Sequence, residues 1–405
     1  MMANGGSASL SLVDVLCSSP TNDVYNPASV AVVDWLIDGA RGAEQPQDVL
    51  QVVCDRLRQA GLPLDRVAVF VRTLHPNVMG RRFLWEAGEQ VVVSEGRYDI
   101  LNQDIYRRSS VVAVYESGEP VRRRLADPDC PSDFNIITDL RAEGFTDYLI
   151  QPLHFLDGQI HAVSWCTKHP DGFEDADLVI LEAVCRPLAR IAEIYGLRRT
   201  TANLLDTYVG RQTGKRILAG QIRRGDINEI PAVIFLSDLR GFTKMSEELA
   251  GHVVVEKLND YFDCLVPAIE SRGGEILKFI GDGLLAIFPA DDDAGPVCRM
   301  ALDAIEDSRT RLASLAGGGP RYGMALHLGD VLYGNVGSED RLDFTTIGLA
   351  VNRAARLEGL ARDVGQEVII SAEVARHCPD AVRSLGRYQL RGIESDQEVF
   401  TLAGR

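Results

Sequence analysis

The fold of the C-terminal half is decided by residues 231–288, which read PAVIFLSDLRGFTKMSEELAGHVVVEKLNDYFDCLVPAIESRGGEILKFIGDGLLAIF. The stretch opens on an apolar, β-branched run at 232–236, which is typical of a buried strand that ends just before Asp238. Apolar residues then recur every three or four positions, which predicts an amphipathic helix with one buried face: Leu258, Phe262, Leu265 and Ile269.

A second aspartate is predicted at the tip of a hairpin. Two apolar runs flank Gly281, Asp282 and Gly283, and an Asp-Gly step between such runs is a strong hairpin signal. If the two strands are neighbours in one sheet, Asp238 and Asp282 meet. Two carboxylates are enough for a hard divalent ion such as Mg²⁺, which keeps water and phosphate ligands.

Each aspartate by itself has a plainer interpretation. Asp238 could cap a helix, and Asp282 could be an ordinary turn residue. The two together favour a site for metal ions and phosphates, because a glycine at 241 opens a helix start and Lys278 lies four residues before Asp282.

Composition sets the class of protein. The 405 residues are enough for two or three domains, and the net charge of −16 argues against nucleic acid or an anionic membrane as the main partner. No apolar run approaches the roughly 20 residues of a membrane helix, and the start lacks the basic segment of a signal peptide, so we expect a cytoplasmic protein. The eight cysteines contain no C-x-x-C pair, so neither a zinc site nor a disulfide framework is indicated.

The N-terminal part alternates helical and strand-like patterns. Residues 1–28 are rich in Gly, Ser, Asn and Pro and predict a mobile leader. Residues 29–173 predict an α+β domain with an antiparallel sheet. Its helices are expected at 29–38, 47–59, 109–116 and 134–143, and its strands at 66–74, 82–86, 148–153 and 160–167.

The end of this domain resembles a known sensor family. Residues 171–183 (DGFEDADLVILEA) are similar to the closing F-x-x-x-D-L-x-x-L-E-A helix of GAF domains, and the order of elements agrees. The resemblance implies a domain that receives a small-molecule or protein signal, whose identity the sequence leaves open. His154, His161 and His169 lie on or beside predicted strands, and we interpret them as structural rather than metal-binding.

Residues 174–230 predict a helical coiled-coil linker and hinge. The spacing of three and four that marks coiled-coil positions a and d is found at Leu181, Val184, Leu188, Ile191 and Tyr195. The alternative is a helix that packs on its own domain; we favour the seam between two chains, although Pro187 interrupts it. The basic, glycine-punctuated segment 208–226 is predicted as a hinge rather than a core element.

Further along, residues 295–315 predict a second amphipathic helix, and 322–328 predict a strand. Residues 344–362 start extended and become helical, and on that helix Asn352 and Arg356 share a face because they are four residues apart. An arginine can fix phosphate oxygens and an asparagine can orient a sugar. The plainer interpretation is a solvated polar pair.

Residues 232–402 resemble the catalytic domain of class III nucleotidyl cyclases through four blocks in the same order. The blocks are F-x-x-D-x-x-G-F-T at 235–243, K-x-I-G-D-G at 278–283, L-H-x-G-x-V-x-x-G-N-x-G at 326–337 and T-x-I-G-x-x-V-N-x-A-A-R at 345–356. The resemblance implies a ferredoxin-like βαββαβ domain at 231–405. It also implies a head-to-tail homodimer with each active site built across the interface.

Carried over position by position, the resemblance implies that Asp238 and Asp282 bind two Mg²⁺ or Mn²⁺ ions per site, with the Leu239 carbonyl as a further ligand. Lys278 and Thr345 match the pair that recognises the base. In this family lysine with threonine accompanies adenine, and glutamate with cysteine accompanies guanine, so ATP is the expected substrate. A lysine can donate to N1 of adenine, whereas N1 of guanine carries a hydrogen.

The remaining matches concern the ribose and the phosphates. Asn352 matches the ribose-orienting residue and Arg356 the residue that stabilises charge on the reacting phosphorus, while Arg391 stands where the family has a triphosphate-binding lysine. The phosphate-binding helix start is expected at Gly241, Phe242 and Thr243. Two positions depart from the pattern: Gly323 replaces a phosphate-binding arginine of some relatives, and Leu349 replaces an aspartate or asparagine.

The expected function is therefore an adenylate cyclase that forms 3′,5′-cyclic AMP and pyrophosphate from ATP by two-metal catalysis, under the control of the N-terminal domain. A different class of function is a catalytically weak or inactive signalling scaffold that senses a ligand or binds a partner. A diguanylate cyclase carries G-G-[DE]-E-F, which Gly273, Gly274 and Glu275 imitate; Ile276 then breaks the match.

Overall fold

A computed structural model describes residues 27–315, 319–393 and 395–403. Contacts divide the chain into two compact units, Met1–Asn203 and Leu204–Arg405, which are described separately. Residues 1–26 of the predicted leader lie outside the described residues. No helix of the described ranges is long and apolar enough to cross a membrane.

The N-terminal unit is built on one antiparallel sheet. Its strands are β1 (Arg66–Arg72), β2 (Val78–Glu86), β3 (Val92–Arg97), β4 (Val121–Arg124), β5 (Asp147–His154) and β6 (Ile160–Thr167). They lie in the order β3-β2-β1-β6-β5-β4, which confirms the predicted α+β class. The sequence missed β3 and β4 because both are short edge strands without a buried apolar side.

Helices cover both faces of this sheet. They are α1 (Pro27–Ile37), α2 (Pro46–Gln59), α3 (Asp104–Arg107), α4 (Ser110–Ser117), α5 (Asn135–Ala142) and α6 (Asp175–Val209). Trp85 and Trp165 are fully buried between the sheet and α1, α2 and α6, whereas α4 and α5 pack around Ile150 on the opposite face. Burial of apolar side chains on both faces gives this unit its own core.

Helix α6 corrects the prediction of a coiled-coil seam. Leu181, Val184, Leu188 and Ile191 are at most 7% exposed and belong to the core of the N-terminal unit. Side chains that are buried in their own domain cannot at the same time form a seam with a second chain. The alternative interpretation, a helix packed on its own domain, therefore holds for this stretch, and the helix continues through Pro187.

The C-terminal unit is built on a larger sheet. Its strands are β7 (Ile227–Leu239), β8 (Glu275–Ile280), β9 (Gly283–Pro289), β10 (Tyr322–Gly337), β11 (Leu342–Ile347), β12 (Val368–Ser371), β13 (Val382–Tyr388) and β14 (Gln397–Leu402). Its helices are α7 (Arg211–Leu218), α8 (Phe242–Glu248), α9 (Gly251–Glu270), α10 (Gly295–Ala313), α11 (Leu349–Asp363) and α12 (Ala372–Ala375).

The predicted ferredoxin-like core is present in this sheet. In chain order β7, α9, β8, β9, α10 and β10 form the βαββαβ unit, and its strands lie side by side as β10-β7-β9-β8. Strand β10 extends well beyond the predicted 322–328. It pairs with the whole of β7 through residues 322–334 and with β11 through residues 332–337. Gly334 permits this extension, because a Cβ there would lie 2.0 Å from the carbonyl oxygen of Asp226.

Helix α7 corrects the prediction that 208–226 is only a hinge. Thr213 is 1% exposed and Gly214 is also buried, so one face of this helix packs against the C-terminal unit. A chain turn at Gly210 (φ +85°) precedes it, in the left-handed region that favours glycine. Two of the glycines that predicted flexibility, Gly210 and Gly214, instead let α7 approach its neighbours closely.

Candidate active site

Two aspartates meet at one edge of the C-terminal sheet. Asp238 is the last residue but one of β7, and Asp282 lies in the two-residue turn between β8 and β9. Since β7 pairs with β9, the hairpin tip folds back beside the end of β7, and the two carboxyl groups come within hydrogen-bonding range. A Cβ at Gly283 would lie 2.7 Å from the Ser237 carbonyl oxygen, so glycine is required for this approach.

The charges at this pair suit a divalent cation. Both carboxylates are half-buried, and burial, followed by the charge of Asp282, raises the pKa of Asp238. Two facing acidic groups gain from a bound cation because it removes their mutual repulsion and supplies oxygen-preferring coordination. Among the described residues no three His, Cys, Asp or Glu side chains form a metal cluster. Leu239, the expected carbonyl ligand, is buried directly after Asp238.

The two residues expected to recognise the base lie on neighbouring elements. Lys278 is on β8, and its Nζ is 2.9 Å from Oδ2 of Asp343 on β11. Thr345 is two residues further along β11 and is 6% exposed. A bulge between Ile276 and Lys278 shifts the register of β8 and so redirects the lysine side chain. A cavity of about 550 Å³ adjoins Lys278 and Asp343.

Three further predicted residues are exposed to solvent. Asn352 and Arg356 are exposed on α11, and Arg391 is exposed in the turn after β13. Their side chains make no hydrogen bond or ion pair with any residue that the structure describes.

The predicted phosphate-binding segment begins helix α8. Gly241 has φ +80° and precedes the helix, Phe242 packs against the core, and Thr243 is exposed. The segment follows Asp238 directly, so these residues lie at the same end of β7 as the aspartate pair.

The departure at Gly323 has a structural counterpart. Gly323 lies opposite Asp238 in the β7–β10 ladder, and a Cβ there would be 2.5 Å from Oε1 of Glu358 and 3.5 Å from a terminal nitrogen of Arg240. Burial, followed by the charge of Asp238, raises the pKa of Glu358. Sequence reasoning missed Arg240 and Glu358, because only the pairing of β10 with β7 and the packing of α11 bring them to Asp238.

Comparison with known families agrees with this geometry. Residues 227–404 match the family described as "Adenylate and Guanylate cyclase catalytic domain", and residues 45–191 match the GAF domain. The chain carries a GAF domain and a class III cyclase catalytic domain. Both family resemblances noted in the sequence are thereby confirmed, and in this chain the GAF domain precedes the cyclase domain.

Several relatives of the cyclase domain are named adenylate cyclases. An adenylate cyclase of Anabaena cylindrica is 38% identical over 178 residues, which cover 41% of this chain and 34% of that protein. Adenylate cyclase 1 of Rhizobium meliloti is 33% identical over 180 residues, which cover 42% of this chain and 27% of that protein. The chain thus spans about a third of the length of these curated relatives. The crystal structure of the adenylyl cyclase CyaB from P. aeruginosa is 25% identical, with 44% of this chain and 96% of that chain covered and a TM-score of 0.39.

Proposed function

We propose that this chain is an adenylate cyclase that converts ATP to 3′,5′-cyclic AMP and pyrophosphate. The observation that carries the proposal is the meeting of Asp238 and Asp282 at the end of β7, beside the glycine-opened start of α8. The relatives named adenylate cyclase and the lysine at 278 with threonine at 345 support adenine as the base.

The reaction is the attack of the ribose 3′ oxygen on the α-phosphorus, with pyrophosphate as the leaving group. When bound, two Mg²⁺ or Mn²⁺ ions would lower the pKa of the 3′ hydroxyl and neutralise the leaving group. Asp238 and Asp282 would hold these ions, with the Leu239 carbonyl as a further ligand. The backbone N–H groups at the start of α8 would bind phosphate oxygens.

Residues other than the two aspartates would position the base, the ribose and the triphosphate of the nucleotide. Lys278 would donate to N1 of adenine and Thr345 would contact its 6-amino group. Asn352 would orient the ribose, and Arg356 would stabilise the charge that develops on the phosphate. Arg391 would bind the triphosphate.

We also propose that the site is completed by a second copy of the chain. The exposed, unpaired side chains of Asn352 and Arg356 support this, because polar groups of this kind are expected at a surface that closes on assembly. The proposed domains are the GAF-like domain at 29–173, the linker at 174–230 and the cyclase domain at 231–405, with regulation by the first. The cytoplasmic location remains a prediction from sequence.

The test is nucleotide turnover by the full-length protein, with ATP and GTP offered separately in the presence of Mg²⁺ or Mn²⁺. Cyclic AMP from ATP that disappears in Asp282→Ala supports the proposal. No product from either nucleotide, with the wild-type protein correctly folded, would favour the signalling scaffold.

A complementation experiment tests the shared site. Asp282→Ala and Arg356→Ala are each expected to be inactive alone. When equal amounts pair at random, about half of the dimers contain one copy of each variant, and each of these has one intact site of two. The mixture should therefore recover roughly a quarter of wild-type activity. A mixture that stays inactive while dimers exchange contradicts a site built from two chains.

A further inference from the structure

A buried carboxylate joins helix α7 to the catalytic sheet. Glu275, the first residue of β8, is 3% exposed. Its Oε1 accepts a hydrogen bond from the Thr213 hydroxyl (2.8 Å), and its Oε2 accepts one from the Tyr333 hydroxyl (2.7 Å). Within the part of the chain that the structure describes, Glu275 has no ion-pair partner. Burying such a group is costly unless it is hydrogen-bonded, so these two hydroxyls are what make the arrangement possible.

Helix α7 also contacts the ring of Tyr333 through a cation–π interaction. The guanidinium of Arg216 lies over the Tyr333 ring, 4.7 Å from its centroid. Thr213 and Arg216 are three residues apart and therefore occupy one face of α7. This face binds both the carboxylate of β8 and the ring of β10.

Glycine allows α7 to sit this close. A Cβ at Gly214 would lie 3.1 Å from both the Leu205 Cβ and an Asp206 carboxylate oxygen. The helix is thus wedged between the end of α6 and the sheet, in contact with β8 and β10. It cannot move without disturbing the bonds of Glu275.

One of the residues bound to Glu275 contacts strand β11, which carries one of the residues proposed to recognise the base. The Tyr333 ring meets the Phe344 ring edge-on, with centroids 4.8 Å apart. Phe344 lies between Asp343, which binds Lys278, and Thr345. On the other side, Glu275 is three residues before Lys278 on the same strand. Residues 206–209 at the end of α6, together with Gly210 before α7, line the cavity that Lys278, Asp343 and Phe344 also line.

We propose that Glu275 is a positioning residue that couples the docking of α7 to the half-site that recognises the nucleobase. The inference rests on the proposed adenylate cyclase function. Buried polar networks are costly when only partly satisfied, so α7, β8 and β10 keep one relative arrangement. Loss of one hydroxyl should loosen Tyr333 and Phe344 and with them the placement of Lys278 and Thr345. The ratio of kcat/KM for ATP to that for GTP should then fall more than kcat with ATP.

The experiment measures kcat and KM for ATP and for GTP, with Mn²⁺, in the full-length chain. Thr213→Val keeps the shape but removes one donor, and Tyr333→Phe removes the other. Each is expected to lower the ATP-to-GTP ratio of kcat/KM by about tenfold, the effect of one unsatisfied buried group, while kcat with ATP changes by less than about threefold. Thr213→Ser restores a hydroxyl and should return the ratio to the wild-type value.

The matched control is Ser308→Ala, which removes a buried hydroxyl that bonds only within helix α10, to the carbonyl of Ala304. It is expected to lower the melting temperature without changing the ratio. If Thr213→Val and Tyr333→Phe lower the melting temperature in the same way and leave the ratio unchanged, Glu275 is only structural and the inference is wrong. A folded wild-type protein that converts neither nucleotide overturns the proposed function instead, and this inference with it.

Discussion

Asp343 holds Lys278: the Lys278 Nζ lies 2.9 Å from the Asp343 Oδ2, across two strands that are far apart in sequence. The aspartate is 71% exposed and the lysine 32%, so the pair lies at the surface of one chain. Water screens such a pair, and its contribution to the stability of the fold is small. Its main effect is to fix the direction of a lysine that would otherwise be free to rotate.

Replacing this aspartate should therefore affect nucleotide binding rather than folding. In Asp343→Asn the ion pair becomes a weaker hydrogen bond from the lysine ammonium to a neutral amide, and we expect the KM for ATP to rise by about fivefold, which corresponds to about 1 kcal/mol. Steady-state kinetics and thermal melting measure the two effects. Asp340→Asn, an exposed neighbour, is the control, and an equal rise in KM for both variants would contradict the assignment.

The same contact predicts the outcome of a specificity swap. In the cyclase family glutamate with cysteine accompanies guanine, but Lys278→Glu would place a second carboxylate beside Asp343. We expect Lys278→Glu with Thr345→Cys to turn over GTP poorly, and addition of Asp343→Asn to increase that turnover by about tenfold, because like charges no longer face each other. Cyclic GMP formation measures this. A triple variant no better than the double one would show that Asp343 does not oppose the swap.

The aspartate pair should limit stability when no metal is present. Asp282→Asn removes one of two facing carboxylates, so we expect the C-terminal unit of the metal-free protein to melt roughly 2–4 °C higher. Mn²⁺ should raise the melting temperature of the wild-type protein and not that of the variant. Scanning fluorimetry with and without Mn²⁺ makes the comparison, with exposed Asp291→Asn as control. Equal stabilisation of the variant by Mn²⁺ would place the ion elsewhere.

The GAF domain should lose stability in weak acid because of one histidine. His161 is 2% exposed, its Nδ1 accepts the Arg72 backbone N–H, and burial, followed by the charge of Arg72, lowers its pKa from 6.5 to about 4. As the pH falls below 6.5, His161 becomes protonated in the unfolded chain but stays neutral in the folded domain. The free energy of unfolding therefore falls between pH 6.5 and about 4, and this contribution levels off below.

Tryptophan fluorescence during urea unfolding measures this decline, since Trp35, Trp85 and Trp165 all lie in the N-terminal unit. His161→Asn keeps an acceptor and cannot titrate, so its stability should depend less on pH over this interval. His154→Asn, at an exposed position, is the control. If His161→Asn follows the wild-type curve, another group causes the loss.

The sequence alone was sufficient to predict structure where a short local pattern specifies one backbone conformation. The Asp-Gly step between two apolar runs predicted the β8–β9 hairpin, although the two turn residues are Gly281 and Asp282 and Gly283 already belongs to β9. The four cyclase blocks predicted the class of the C-terminal domain and its βαββαβ core. The exposed edge strands β3 and β4 gave no such pattern, since no buried side imposes an alternation on them.

Periodicity predicted that α6 is a helix but not what its apolar face contacts. A spacing of three and four residues is the same for a seam between chains and for a helix on its own domain, and only packing decides between them. Leu181 and Val184 are buried in the GAF core, which settles the question for this stretch. In the same way, Gly210 and Gly214, two of the glycines that predicted a hinge at 208–226, permit the close packing of α7.

The residues to which we assign the chemistry, Asp238, Asp282, Lys278 and Thr345, were proposed from the sequence by type and spacing, because a motif preserves the order of its residues along the chain. Their surroundings were not. Three sets of contacts join residues that are tens of positions apart. Glu275 binds Thr213 and Tyr333, Lys278 binds Asp343, and the Glu358 side chain lies against Gly323. Only the pairing of strands and the packing of helices in three dimensions decide which of these side chains meet.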